Sequence, residues 1–111
     1  MSVAISQYQN VVVLTVKEEL VGEAVDVFNA EANKCLDQSQ FHLLVDCSNS
    51  GGFDSAALEA LLDLQNKCEE QLGAVKLCGL DATCSKILEI TRLTRRFECF
   101  NDLESAVKSF G

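Results

Sequence analysis

The chain has 111 residues, 17 of them acidic and 9 basic, for a formal net charge of -8, so its overall field repels phosphate backbones and anionic lipid and argues against a nucleic-acid binder. A chain of this length buries a core without help from metal or disulfides, which predicts one domain over residues 1–111. No apolar stretch approaches the roughly 18 residues of a membrane span, and the opening MSVAISQYQN lacks the charged and apolar regions of a signal peptide; a cytoplasmic protein without membrane insertion is expected.

The first predicted elements form a hairpin. AISQYQ (4–9) is a weak strand, Gln9-Asn10 a tight turn, and VVVLTV (11–16) a β-branched strand that places Val12, Leu14 and Val16 on one packed face. Over residues 22–37, Ala24, Val25, Phe28, Ala32, Cys35 and Leu36 recur at three- and four-residue steps, the apolar stripe of a helix. FHLLVDC (41–47) is a nearly continuous apolar run of the kind found in central strands.

From Ser55 to Leu72, the stripe Leu58, Leu61, Leu64, Cys68 and Leu72 predicts a second helix, with Gly73 as its stop. AVKLCGL (74–80) is a further strand, TCSKILEITRL (83–93) a third helix, RFECF (96–100) a short strand, and DLESAVKSF a last helix with Asp102 near its start. The order β-β-α-β-α-β-α-β-α is that of an α/β sandwich with a mixed, mainly parallel sheet. Helices mostly on one face would let Lys17, His42 and Lys76 alternate outward.

Catalytic equipment is not recognisable. The single histidine, His42, and Cys47 lie too far apart along one strand to form a nucleophile and base pair. Gly51-Gly52 falls between a strand and a helix but without the lysine of a phosphate loop, and no G-x-G-x-x-G is present. Six cysteines (Cys35, Cys47, Cys68, Cys78, Cys84, Cys99) include no C-x-x-C pair, so neither zinc nor disulfides are expected and they read as small buried hydrophobes. Lys86, Arg92, Arg95 and Arg96 form the one basic cluster and read as a solvated loop. No cofactor or metal is implied.

Two stretches carry a resemblance. LLVDCSNSGGFDSAALEALLDL (43–64) is similar to the strand, turn and D-S-[ST]-G-L helix start of the STAS domain. KILEITRLTRRFECFNDLESAVKSF (86–110) is similar to the same family's L-x-[IL]-T-x-L helix, aromatic strand and D-x-x-x-A helix. The match runs over nearly the whole chain, in order, and implies the STAS fold and a non-enzymatic, protein-binding role of the anti-sigma factor antagonist type. Carried over residue by residue, Asp54 matches the family's aspartate, Ser55 its first hydroxyl residue and Ala56 its regulatory phosphorylation site, while Ala57 stands in place of a glycine. Two further departures are Val21, where the segment before the first helix has aspartate, and Arg92, where glycine is common.

A phosphate at such a helix start would be held by free N–H groups and the helix dipole and would repel a partner; alanine at position 56 removes that switch, and Ser55 is left as an alternative acceptor. On a helical wheel with Leu61, Leu64 and Cys68 buried, Ala56, Glu59 and Asp63 project from the opposite side. Together with Asp54 and Ser55 they form the expected partner-binding surface; read without the resemblance, the same face is that of any solvated amphipathic helix, and Asp54 and Ser55 are helix caps. The resemblance implies a kinase-type anti-sigma factor as partner. The order Asp54-Ser55-Ala56 is also similar to D-[ST]-A-G in STAS subunits of ABC-type lipid transport systems, which implies instead an ABC ATPase, met at Ser55.

Overall fold

The computed structural model describes residues 3–110. Five strands, β1 (Val3–Tyr8), β2 (Val11–Val16), β3 (His42–Asp46), β4 (Ala74–Cys78) and β5 (Cys99–Phe100), lie side by side in sequence order. Four α-helices, α1 (Glu23–Asp37), α2 (Ser55–Glu70), α3 (Ala82–Ile90) and α4 (Leu103–Ser109), connect or follow them, with a 3-10 turn at Leu93–Arg95. β1 and β2 pair antiparallel across Gln9-Asn10, where Gln9 takes a φ of 58°, the left-handed value that tight hairpin turns demand. The remaining pairs are parallel, as their helical crossovers require. The predicted element order and mixed sheet are those observed.

The sheet has two unequal layers. On its front, α1, α2 and α3 close over Val12, Leu14, Val16, Leu43, Val45, Val75 and Leu77, with Phe28, Leu61, Leu64 and Leu88 supplied by the helices. On its back, α4 alone covers Val11, Val13, Leu44 and Cys78 with Ala106 at the contact and Leu103, Val107 and Phe110 around it. Helices thus lie mostly on one face, as expected, but the one-sided reading of β2 does not hold. Val11 and Val13 are as buried as Leu14, because α4 and its flanking aromatics shield the middle of the back face.

Lys76 also departs from expectation. It points to the back, but only 9% of its surface is exposed. Its ammonium donates to the Ser109 carbonyl (3.1 Å) and hydroxyl oxygen (3.0 Å), sits 4.4 Å from the centre of the Phe110 ring and pairs with Glu98 at 3.7 Å. The stem is packed and the charge is spent on the end of α4.

Helix ends differ from the sequence reading in an instructive way. α2 stops at Glu70 rather than Leu72, and the residue that turns left-handed is Leu72 (φ 63°), one place before Gly73. Gly73 is required for another reason: a Cβ there would overlap the carbonyl of Phe41. α3 likewise ends at Ile90, and Leu93 falls in the 3-10 turn; β5 keeps only two of the five residues expected. No helix among the described residues is long and apolar enough to cross a membrane.

A candidate protein-docking surface at the start of the second helix

Asp46 closes β3 and its carboxylate accepts from the Ser48 N–H (3.0 Å) and hydroxyl (2.6 Å), turning the chain sharply out of the sheet. The loop behind it is pinned from two sides. Ser48 rests on Gly79, whose φ of 71° and missing side chain are both needed there, since a Cβ would overlap the Ser48 hydroxyl. Gly52 and Phe53 meet the segment before α1: the Leu20 N–H donates to the Gly52 carbonyl at 3.0 Å, and Leu20 and Phe53 form a parallel bridge.

Asp54 completes the clasp with one oxygen for each loop. Oδ1 accepts from the Ala57 N–H at 2.8 Å, capping α2, and Oδ2 accepts from the Gly22 N–H at 3.0 Å. Those two backbone donors, Gly22 first, hold the Asp54 carboxyl below the usual aspartate range. The cap expected from the sequence is there, and the bond to Gly22 adds what the sequence did not suggest: one side chain locks the entry to α1 and the entry to α2 together.

Beyond the cap the two alanines diverge. Ala57 is fully buried in the front core, while Ser55 and Ala56 stand exposed on the first turn. Glu59 and Asp63 follow Ala56 on the exposed side, and Asp63 pairs with Lys67 at 3.1 Å. Ala56, Glu59 and Asp63 share one wall of a groove of about 720 Å³ between α1 and α2, whose other wall includes Val25, Asp26 and Asn29. Sequence reading missed the α1 wall. Its signal was available in Asp26, Asn29 and Asn33, polar residues at three- and four-residue steps that complement the buried stripe.

The other singled-out residues lie elsewhere. His42 is half-buried on the back, edge-on to Phe110 with ring centres 6.0 Å apart, whereas Cys47 is fully buried in the front core. Burial drives the Cys47 thiol well above its ordinary value and pushes Cys78 and Cys84 up to about 12, so these sulfurs stay protonated. Cys99 corrects the expectation for the cysteines, being exposed on the edge strand while the other five are buried. In the basic cluster, Arg96 is committed to Asn66 (2.7 Å) and Glu69 (2.8 Å), and Lys86, Arg92 and Arg95 are exposed. Above it, the buried Gln65 amide bridges the Val75 backbone and the Arg96 carbonyl, a tie between α2 and β4 that no sequence pattern announced.

A STAS-domain family model matches residues 2–106. The chain belongs to the STAS domain family. Solved STAS structures are similar in fold at low identity. An anti-sigma factor antagonist from Mycobacterium paratuberculosis superposes with a TM-score of 0.88 at 17% identity, covering 97% of this chain and 92% of that one. The anti-sigma factor antagonist SpoIIAA in its unphosphorylated form gives 0.84 at 17%, covering 96% and 94%. Part of the murine anion transporter Slc26a9 gives 0.75 at 21%, with 92% of this chain matched to 18% of the transporter. No curated protein sequence matches the chain at a significant level. In this STAS chain Ala56 lines the α1–α2 groove.

Proposed function

We propose that this STAS chain acts as one non-enzymatic module in the cytoplasm, binding a kinase-type anti-sigma factor in the manner of an anti-sigma factor antagonist. The observation that carries this reading is the exposed first turn of α2, which presents Ser55 and Ala56 beside an acidic groove on a fold shared with antagonists such as SpoIIAA. Asp54 fixes the turn, Ala56 permits close approach, and Glu59 and Asp63 supply charge for basic side chains of the partner. With alanine at position 56, binding is not released by phosphorylation there. Ser55 is the hydroxyl left for a partner kinase.

The test is affinity capture from the native cell with wild-type protein and Ala56→Asp, followed by mass spectrometry of the bound proteins and of Ser55. Capture of an anti-sigma kinase by the wild type and its loss with the variant is the expected result. A second reading is favoured by the Asp54-Ser55-Ala56 order: a STAS subunit contacting an ABC ATPase at Ser55. Recovery of an ATPase instead of an anti-sigma factor would replace the first reading with the second, and partners indifferent to Ala56→Asp would overturn both.

A further inference from the structure

The two edges of the sheet are treated differently. β5 is two residues long and flanked by Glu98 and Asp102, which is how sheet edges are protected against pairing with another chain. β1 has none of these protections. It runs six residues in unbroken register with β2, from Val3↔Val16 to Tyr8↔Val11, and contains no charge, proline or bulge. α1 packs on its front face, and among the described residues no element hydrogen-bonds to its outer side.

Charge distribution sharpens the contrast. The first charged residue in the sequence is Lys17, so all 17 acidic and 9 basic residues come after the β1–β2 hairpin. In a chain of net charge -8, two copies repel each other over most of their surfaces, and the neutral β1 edge is where their approach is least opposed. A partner recognised by charge has nothing to hold there.

Register shows that the edge complements itself. A two-residue turn makes Tyr8 and Val11 a hydrogen-bonded pair, and the alternation of an antiparallel ladder then directs the N–H and C=O groups of Val3, Ile5 and Gln7 outward. We infer that β1 pairs antiparallel with β1 of a second copy about a two-fold axis at Ile5, joining two sheets into one of ten strands. Ile5 then exchanges both backbone hydrogen bonds with Ile5 of the other copy, and Val3 faces Gln7 in each half. The Ile5 side chain, 44% exposed in the single chain, meets its own counterpart on the front face as an apolar pair, and on the back Ala4 faces Ser6, so only small side chains meet there. Closed two-fold symmetry of this kind uses one patch twice. A six-residue strand spans only about 20 Å, which places the contact at the small, concentration-dependent end of specific interfaces.

The test is sedimentation velocity over a dilution series from about 1 µM to about 500 µM, the range in which small interfaces assemble, on wild type, Ile5→Lys and Ile90→Lys. Ile5→Lys sets two like charges against each other across the axis and lowers self-association at least tenfold. Ile90→Lys alters a more exposed apolar residue on α3, 70% against 44% for Ile5, and leaves self-association unchanged. Hydrogen exchange on the wild type supplies a readout that does not depend on a variant folding: the Ile5 and Gln7 amides gain protection at least tenfold as concentration rises, while the inward Ser6 amide is protected throughout. A wild type that stays monomeric over the series, a dimer that survives Ile5→Lys in a folded variant, or Ile5 and Gln7 amides indifferent to concentration would overturn the inference. A different protein found on β1 in the native cell would do so as well.

Discussion

The front and back layers of this sheet end their helices by different means. α1, α2 and α3 each close with a non-glycine residue in the left-handed region: Ser39 (φ 59°), Leu72 (φ 63°) and Arg92 (φ 63°). At α1 and α2 the bonding is the same. The N–H of the residue after the left-handed one reaches back to Cys35 or Cys68, and the left-handed residue's own N–H reaches Leu36 or Glu69. α4 ends at Ser109, with Phe110 as its cap at a φ of -80°. Its last carbonyl, that of Ser109, is met from the sheet below by the ammonium of Lys76. The front helices are long enough, at 15 and 16 residues for α1 and α2, for burial of a continuous apolar stripe to outweigh strained ends. The seven-residue α4 is too short to hold itself, and depends on a tertiary contact. Stability is therefore concentrated in front, where the groove is, and the back layer is a lid packed through a small apolar cluster and tied at its end by Lys76.

The largest expected effect tests the first half of that statement. Phe28 is fully buried beneath α1 at the centre of the front core, and Phe28→Ala should lower unfolding free energy by about 3–5 kcal/mol in urea denaturation. A loss below about 1 kcal/mol, the ordinary scale of a tolerated substitution, would mean that the front core can collapse into the space and that the contrast between layers is overstated.

Lys76 tests the second half. Lys76→Ala removes the ammonium from the end of α4 together with the packed stem, and about 2 kcal/mol should be lost on the scale of a charged hydrogen bond and a cation-π contact. Lys76→Met retains the stem and should recover about half of the loss. In either variant, amide exchange in α4 should accelerate before that in α1 or α2, because the lid opens alone. Uniform acceleration across all four helices would show that α4 is not a separate unit and that the fastening has no special place in it.

These two residues also mark what was legible in the sequence. Phe28 was, because its three- and four-residue neighbours Ala24, Val25 and Ala32 announce a buried stripe. The helices and strands that carry such a pattern form, but α2 and α3 end two and three residues early, and Leu72, expected in the stripe of α2, is exposed beyond its end. Lys76 was not. Alternation along β4 shows that Lys76 leaves the front core, but only the packing of α4 decides that the other side is also covered, and that depends on a contact 33 residues away in sequence. Val11 and Val13 were misjudged for the same reason. At the candidate site, periodicity put Ala56, Glu59 and Asp63 on the exposed side of α2, since a helix fixes its own faces, and capping chemistry put Asp54 and Ser55 at its start. The polar face of α1 that forms the groove's other wall was legible in Asp26, Asn29 and Asn33, but its meeting with α2 and the bond from Asp54 to Gly22 were not, since both depend on how separate parts of the chain pack. The family resemblance contributed one local fact of this kind: Arg92, where glycine is common, does hold a left-handed conformation.

Strained helix ends on the front layer make the smallest prediction and the sharpest. Leu72 is 92% exposed, so replacing it removes no core packing, yet its φ of 63° is a conformation that costs an L-residue about 1–2 kcal/mol and a glycine almost nothing. Part of that gain is returned because glycine leaves the unfolded chain freer. Leu72→Gly should therefore raise stability by about 0.5–1 kcal/mol, and Arg92→Gly by a similar amount, while Leu72→Ala, which keeps the strain, should change little. Paired thermal and urea denaturation of these three variants decides the matter. A stabilising Leu72→Gly beside an inert Leu72→Ala would assign the cost to the backbone turn and show that the front layer carries it without loss of fold. A neutral Leu72→Gly would mean that the left-handed ends are not strained, and the difference between the layers would then rest on Lys76 alone.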